Sequence, residues 1–207
     1  SAQCSFSCCQ NLSLKAMTRQ TTTPLPQLIY PRVIHLRRRL KEIIYTKIPG
    51  ARADIKIGPT HESFVSWEEA IAEKFEPLGV GDSFAPASVT KNGVKEFPWT
   101  QRWFRVDLQL PPDIMLQEGH EYCLHFLAHG EFTVYTNNGD VWCGIDPVHD
   151  SIPISSILQG DQRSVTIWLD GGQWQTGFWF GLDAPTDELG FRLLKVELQR
   201  KSKLANE

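Results

Sequence analysis

From Trp99 to Leu198 the sequence is cut into short runs in which apolar residues recur at every second position, and this constrains the fold more than any other feature. Successive side chains leave a pleated strand on opposite faces, so the period predicts half-buried β-strands. Phe104, Val106, Leu108 and Leu110 alternate with Trp103, Arg105, Asp107 and Gln109, and Pro111-Pro112 stops the run. Residues 122–128, 164–170, 173–182 and 191–198 are further runs, with Gly171-Gly172 read as a break between two of them. Residues 131–149 hold a hairpin, in which Phe132 and Val134 precede Asn137-Asn138-Gly139-Asp140, and Val141 and Cys143 follow it. Asn-Gly readily takes the positive φ values that a tight hairpin demands. Several short strands, with turn signals and no helical pattern between them, predict a mainly β chain folded as an antiparallel β-sandwich.

The N-terminal third reads differently. Residues 1–26, rich in Ser, Thr, Gln and Cys, are expected to form a flexible tail. Residues 27–66 form a helical and loop extension. There, Val33, Leu36, Leu40, Ile43 and Ile44 fall at helical spacing behind Pro31, which suits a first turn. Arg37, Arg38, Arg39 and Lys41 give this helix a basic, solvated face. Residues 47–62 are expected to be mostly loop, with a short extended piece from Asp54 to Ile57, because Pro49-Gly50 and Gly58-Pro59 punctuate them. Ser66-Trp67-Glu68-Glu69 has the form of a capping box. Trp67, Ile71 and Phe75 would then make one apolar stripe, and Pro77 ends the helix. The sandwich is assigned to residues 67–200, and residues 201–207 to the start of a linker or tail.

Composition limits the classes of partner. The 207 residues carry a net charge of −3, so no overall basic field recommends nucleic acid or a membrane surface. No apolar run approaches the roughly 20 residues that a membrane-spanning helix needs. The five cysteines show no framework spacing, and they read as reduced thiols of a cytoplasmic protein.

Candidate functional residues gather around the hairpin. Gly144 to His149 is a polar loop with one acid and one imidazole, and Trp142, Trp168, Trp174 and Trp179 with Tyr135 are dense in the second half. A flat indole can carry a pyranose ring while a nearby acid bonds its hydroxyls, but the same residues also build cores and interfaces. Glu131, Trp142, Asp146, His149 and Trp174 are therefore the candidate carbohydrate-binding or interface residues. Glycosidase chemistry needs two carboxylates at a set separation. Glu131 and Asp146 flank the hairpin, but Asp146 is better suited to bind the amides of its own turn. His125 and His129 fall on one face of a regular strand with no third ligand placed beside them, so no metal is assigned. Asp146 and His149 lack a Ser or Cys nucleophile, and no catalytic residue is assigned.

A second line of reading comes from resemblance. Glu68-Glu69-Ala70, Phe75-Glu76-Pro77, Val80-Gly81-Asp82-Ser83-Phe84-Ala85-Pro86, Trp103-Phe104-Arg105-Val106, Gly130-Glu131, Val134-Tyr135 and Gly144-Ile145-Asp146 follow in order. From about Trp67 to Leu198 this series resembles the N-terminal domain of glycoside hydrolase family 38 α-mannosidases, in the cytosolic-type and bacterial branch. The resemblance implies a galactose-binding-like jelly roll standing in front of a separate catalytic domain. That domain would hold the divalent metal, zinc in this family, and would lie beyond Glu207; this chain itself would carry no cofactor. Its partners would be the catalytic domain of the same or a longer polypeptide, and a mannose-containing glycan. The alternative is a free-standing carbohydrate-binding module using residues 144–149 and nearby Trp side chains. Residues 87–98 look like an insertion relative to the family, and Phe132 stands where the family carries a small residue.

Overall fold

The computed structural model describes residues 29–97, 99–112, 114, 121–158, 162–173 and 184–202. The chain divides into two compact units, Ser1–Arg39 and Leu40–Glu207. In chain order the elements are α1 (Ile29–Ile44), β1 (Tyr45–Lys47), β2 (Arg52–His61), α2 (Trp67–Ala70), β3 (Glu76–Pro77), β4 (Ser83–Ala85), β5 (Val89–Lys91) and β6 (Val94–Glu96). They continue with β7 (Thr100–Gln109), β8 (Glu121–Ala128), β9 (Glu131–Tyr135), β10 (Val141–Ile145), β11 (Ser151–Pro153), β12 (Ser164–Gln173) and β13 (Phe191–Lys201). Among the described residues no helix is long and apolar enough to cross a membrane.

Among the described residues every strand pair is antiparallel. One sheet runs β1-β13-β8-β11, with β4 also on β13; the other runs β10-β9-β12-β7-β2-β3; β5 and β6 pair apart from both. The inward side chains make one core. Phe104, Val106 and Leu108 of β7 and Ile167 and Leu169 of β12 meet Leu124 and Phe126 of β8 and Leu193 of β13. The expected alternation along β7 and β8 is what places them there, and the fold is an antiparallel β-sandwich. At its centre Phe104, Phe126 and Phe132 stand edge to face, with centroids 5.4–6.2 Å apart, and Phe84 adds a fourth ring 5.2 Å from Phe104. Such geometry sets the positive ring edge against the negative face.

A second, smaller core lies on the outer face of the six-stranded sheet. Ala70, Trp103 and Trp168 are buried there, with Trp67, Phe75, Val65 and Tyr135 packed around them. The capping box holds α2 in place: the Ser66 amide donates to Glu69 Oε2 (2.9 Å), and the Glu69 amide donates to Ser66 Oγ (3.4 Å). Gln101 pins the preceding loop to the sheet, because its side chain accepts from the Val65 amide (2.7 Å) and donates to the Val65 carbonyl (3.1 Å). Trp103 Nε1 donates to the same carbonyl.

The fold differs from the sequence reading at three places. The short extended piece expected from Asp54 to Ile57, within a segment otherwise expected as loop, is part of a ten-residue strand, Arg52–His61, inside the six-stranded sheet, with Ile55 and Ile57 buried. Pro59 is accommodated by a register shift between Ile57 and Thr60, and bulges are where sheets tolerate proline. β12 runs straight through Gly171-Gly172. A Cβ at Gly171 would stand 2.6 Å from the Phe132 ring, so glycine here makes room for a core side chain and does not end the strand. α2 is a single four-residue turn; Ile71 is its C-cap and is exposed, while Phe75 reaches Trp168 edge-on at 5.3 Å. The expected strand over 173–182 lies outside the described residues beyond Gln173.

Truncating the central ring tests this account of the core. Phe104→Ala is expected to cost about 3–5 kcal/mol in urea unfolding, the usual range for deleting a fully buried aromatic side chain. A cost below about 1 kcal/mol would mean that the ring cluster does not hold the two sheets together.

Candidate functional site

The hairpin forms as expected at its turn. The Thr136 amide donates to Asp140 O (2.8 Å), the Gly139 amide donates to Thr136 O (3.1 Å), and Gly139 takes φ +84°. A Cβ at Gly139 would stand 2.6 Å from the Trp67 ring, so the turn lies directly on α2. The second strand departs from simple alternation. Val141 opposes Tyr135 and Cys143 opposes Val134, which leaves Trp142 as the extra residue of a bulge. Val141 is therefore exposed, not inward with Phe132 and Val134. The Trp142 indole packs against the main core, and its Nε1 donates to Pro153 O at 3.0 Å.

At the open end of the hairpin, Ile145 opposes Phe132, so Glu131 and Asp146 leave the ladder side by side. Glu131 is exposed and faces Gly172 across β12. Asp146 closes the following turn. Its Oδ1 accepts from the amides of Val148 (2.6 Å) and His149 (2.8 Å), and its Oδ2 stands 2.9 Å from His149 Nδ1. Burial alone would raise this carboxyl, but the His149 ring and the two amides outweigh burial and hold it below the usual carboxylate range. Both oxygens of Asp146 are thus engaged within its own turn, and His149 is mostly exposed. The structure brings Glu131, Asp146 and His149 to one end of the hairpin and turns Trp142 toward the core. Trp174 lies outside the described residues.

Sequence reasoning missed a polar cluster on the outer face of the five-stranded sheet. Asp150 accepts from Lys41 Nζ (3.1 and 3.2 Å) and stands 3.0 Å from His125 Nε2. Gln199 Nε2 lies 3.4 Å from His125 Nδ1 and donates to Glu197 Oε2 at 2.7 Å. Burial alone would raise Asp150, but the bond and charge of His125, and then those of Lys41, hold it below the usual range. His129 takes a different role from His125: it is buried, and its Nδ1 accepts from the Arg192 amide at 3.1 Å. Among the described residues no three metal-ligating side chains converge.

On the other sheet the outward acids are likewise engaged. Asp107 accepts from Thr166 Oγ1, Arg105 Nε and Lys56 Nζ at 2.8–3.1 Å. Asp170 accepts from Gln101 Nε2 at 2.8 Å, and burial pushes its carboxyl up. Among the described residues these carboxylates form no acid–base pair poised over a substrate; they hold the sheets' outer faces together.

Asp150→Asn is expected to cost about 1–3 kcal/mol at pH 7, because it removes the charge that Lys41 and His125 bond. The folded carboxyl titrates below its unfolded value of about 3.9, so its contribution is present above that value. It is lost as the pH falls through the lower, folded value. Urea midpoints of the native protein and the variant should therefore converge in acid; a gap independent of pH would assign the effect to packing.

With this geometry in place, comparison with known proteins gives the family. The profile of the family described as "Alpha-mannosidase, jelly roll domain" matches residues 51–198, which run from just before β2 into β13. Human alpha-mannosidase 2C1 is 30% identical over 144 residues, an alignment covering 64% of this chain and 12% of the human protein. The chain thus matches a small fraction of that relative's length. It belongs to the family of α-mannosidase jelly-roll domains.

Proposed function

We propose that this chain is the non-catalytic, N-terminal accessory domain of an α-mannosidase of glycoside hydrolase family 38, which packs against a separate catalytic domain where the zinc is held. The observation that carries the reading is the family match over 51–198, set beside a mannosidase of which the chain aligns with 12%. The surface supports a docking role. Along α1, Val33, Leu36, Leu40 and Ile43 are each more than half exposed, and large exposed apolar stripes are usually covered by a partner. The occupant in this reading is the catalytic part of the same polypeptide. A cytoplasmic setting belongs to the same proposal, supported by the free thiols of Cys123 and Cys143.

Glycan binding is the alternative role, favoured by the exposed Glu131 and His149 at one end of the hairpin. One pair of measurements separates the readings. The isolated chain is expected to hydrolyse no aryl α-mannoside with zinc or cobalt added, and its amide resonances should stay unmoved in millimolar methyl α-mannoside. Metal-dependent turnover overturns the accessory-domain reading. Saturable shifts at Glu131 and His149 without turnover move the function to glycan binding.

A further inference from the structure

Arg102, on the six-stranded sheet, makes no ion pair with any described residue. Arg102 of β7 lines a depression of about 330 Å³ with Ile57, Gly58, Pro59, Lys74 and Glu76. β2 shifts register between Ile57 and Thr60, beside this depression. Arg102 Nε donates to Thr60 Oγ1 at 2.7 Å. A guanidinium has five N–H donors, and the other four, on the two Nη nitrogens, meet no acceptor among the described residues. Burial pushes the guanidinium pKa down, and no acid among the described residues acts to raise it.

The neighbouring charges leave room for an anion. Lys74 brings a second cation, and the one carboxylate among the residues lining the depression, Glu76, is 3.2 Å from Lys74 Nζ. Glu73 approaches Gly58 but is held by His61 Nε2 at 3.1 Å. Of the charged side chains lining the depression, Lys74 and Glu76 pair with each other, and Arg102 is left with Thr60 alone. A planar guanidinium with both Nη groups open matches the paired oxygens of a carboxylate or phosphate, which it grips through two parallel charge-assisted bonds.

We propose that this depression is an oxyanion site, in which the Nη groups of Arg102 take two oxygens of a carboxylate or phosphate group and Lys74 neutralises the remaining charge. The shared chemistry admits two sources. One is an acidic side chain of a docked polypeptide, and the other is a free phosphate or phosphorylated metabolite. The site rests on this chain's own residues, so its failure leaves the domain assignment untouched.

The test is an NMR titration of the ¹⁵N-labelled chain with inorganic phosphate, and separately with acetate, at constant ionic strength. Saturable shifts are expected at Arg102 Nε–H and at the amides of Gly58, Thr60 and Lys74. A Kd of about 1–10 mM is the order expected for two charge-assisted bonds made in competition with water. Tighter phosphate binding would indicate a free phosphate ligand, and comparable acetate binding a docked carboxylate. Arg102→Met should weaken binding at least tenfold, and Arg102→Lys, which keeps the charge and loses the fork, should fall between. Lys74→Met, a substitution at an exposed side chain, should weaken it about threefold and covers the case in which the Arg102 variants do not fold. Linear shifts spread over the surface, or saturable binding that survives either Met substitution unchanged, would overturn the site.

Discussion

The edge-to-face packing of Phe104, Phe126 and Phe132 is the contact on which the rest of the structure depends. Phe126 comes from the five-stranded sheet, and Phe104 and Phe132 come from the other, so the three rings are where the two layers touch. Their demand for space reaches outward. Gly171 lacks a side chain because the Phe132 ring stands where its Cβ would go. Gly130, at φ +123°, turns the chain from β8 into β9 so that Phe132 can enter from the neighbouring strand of the other sheet. Phe84 brings β4 and Phe191 of β13 into the same ring system. A sandwich with so many aromatic rings at its seam has little freedom to slide one sheet over the other, because each ring fills the gap beside the next.

Much of this was legible beforehand, and the reasons for success and failure are local. Strands β7, β8, β12 and β13 announce themselves through alternation, since each has one face on the core and one outside. The Asn137–Asp140 turn is equally plain, because few sequences suit its backbone. β2 hides because Gly58-Pro59 is a loop signal in most settings, whereas here a register shift absorbs the proline. Gly171-Gly172 misleads for the opposite reason: a glycine pair usually marks a turn, and this one answers to a ring on an adjacent strand. The Trp142 bulge is likewise invisible to a period-two count, which assigns Val141 and Cys143 to the inner face.

The polar sites divide along the same line. Asp146 was readable as the acceptor of its own turn, because its partners Val148 and His149 are two and three residues away. Asp150 was not, since its partners are Lys41 and His125, separated from it by 109 and 25 residues. Arg102 belongs to the same class. Its isolation is a property of which strands run beside it, and no spacing rule reports it. The outer faces of the two sheets are thus built by pairings that only the topology makes.

The pairing of β1 with β13 bears on how this domain carries load. Tyr45 opposes Lys201, and the Ser202 amide donates to Ile44 O, so the segments leading into and out of the sandwich lie next to each other on one edge. Tension applied between those segments would act across the short β1–β13 ladder and strain its hydrogen bonds one after another, as in opening a zipper. Strands pulled along their length share the force over all their bonds at once, and these do not. Under such a load β1 can peel away while the phenylalanine seam behind it stays closed.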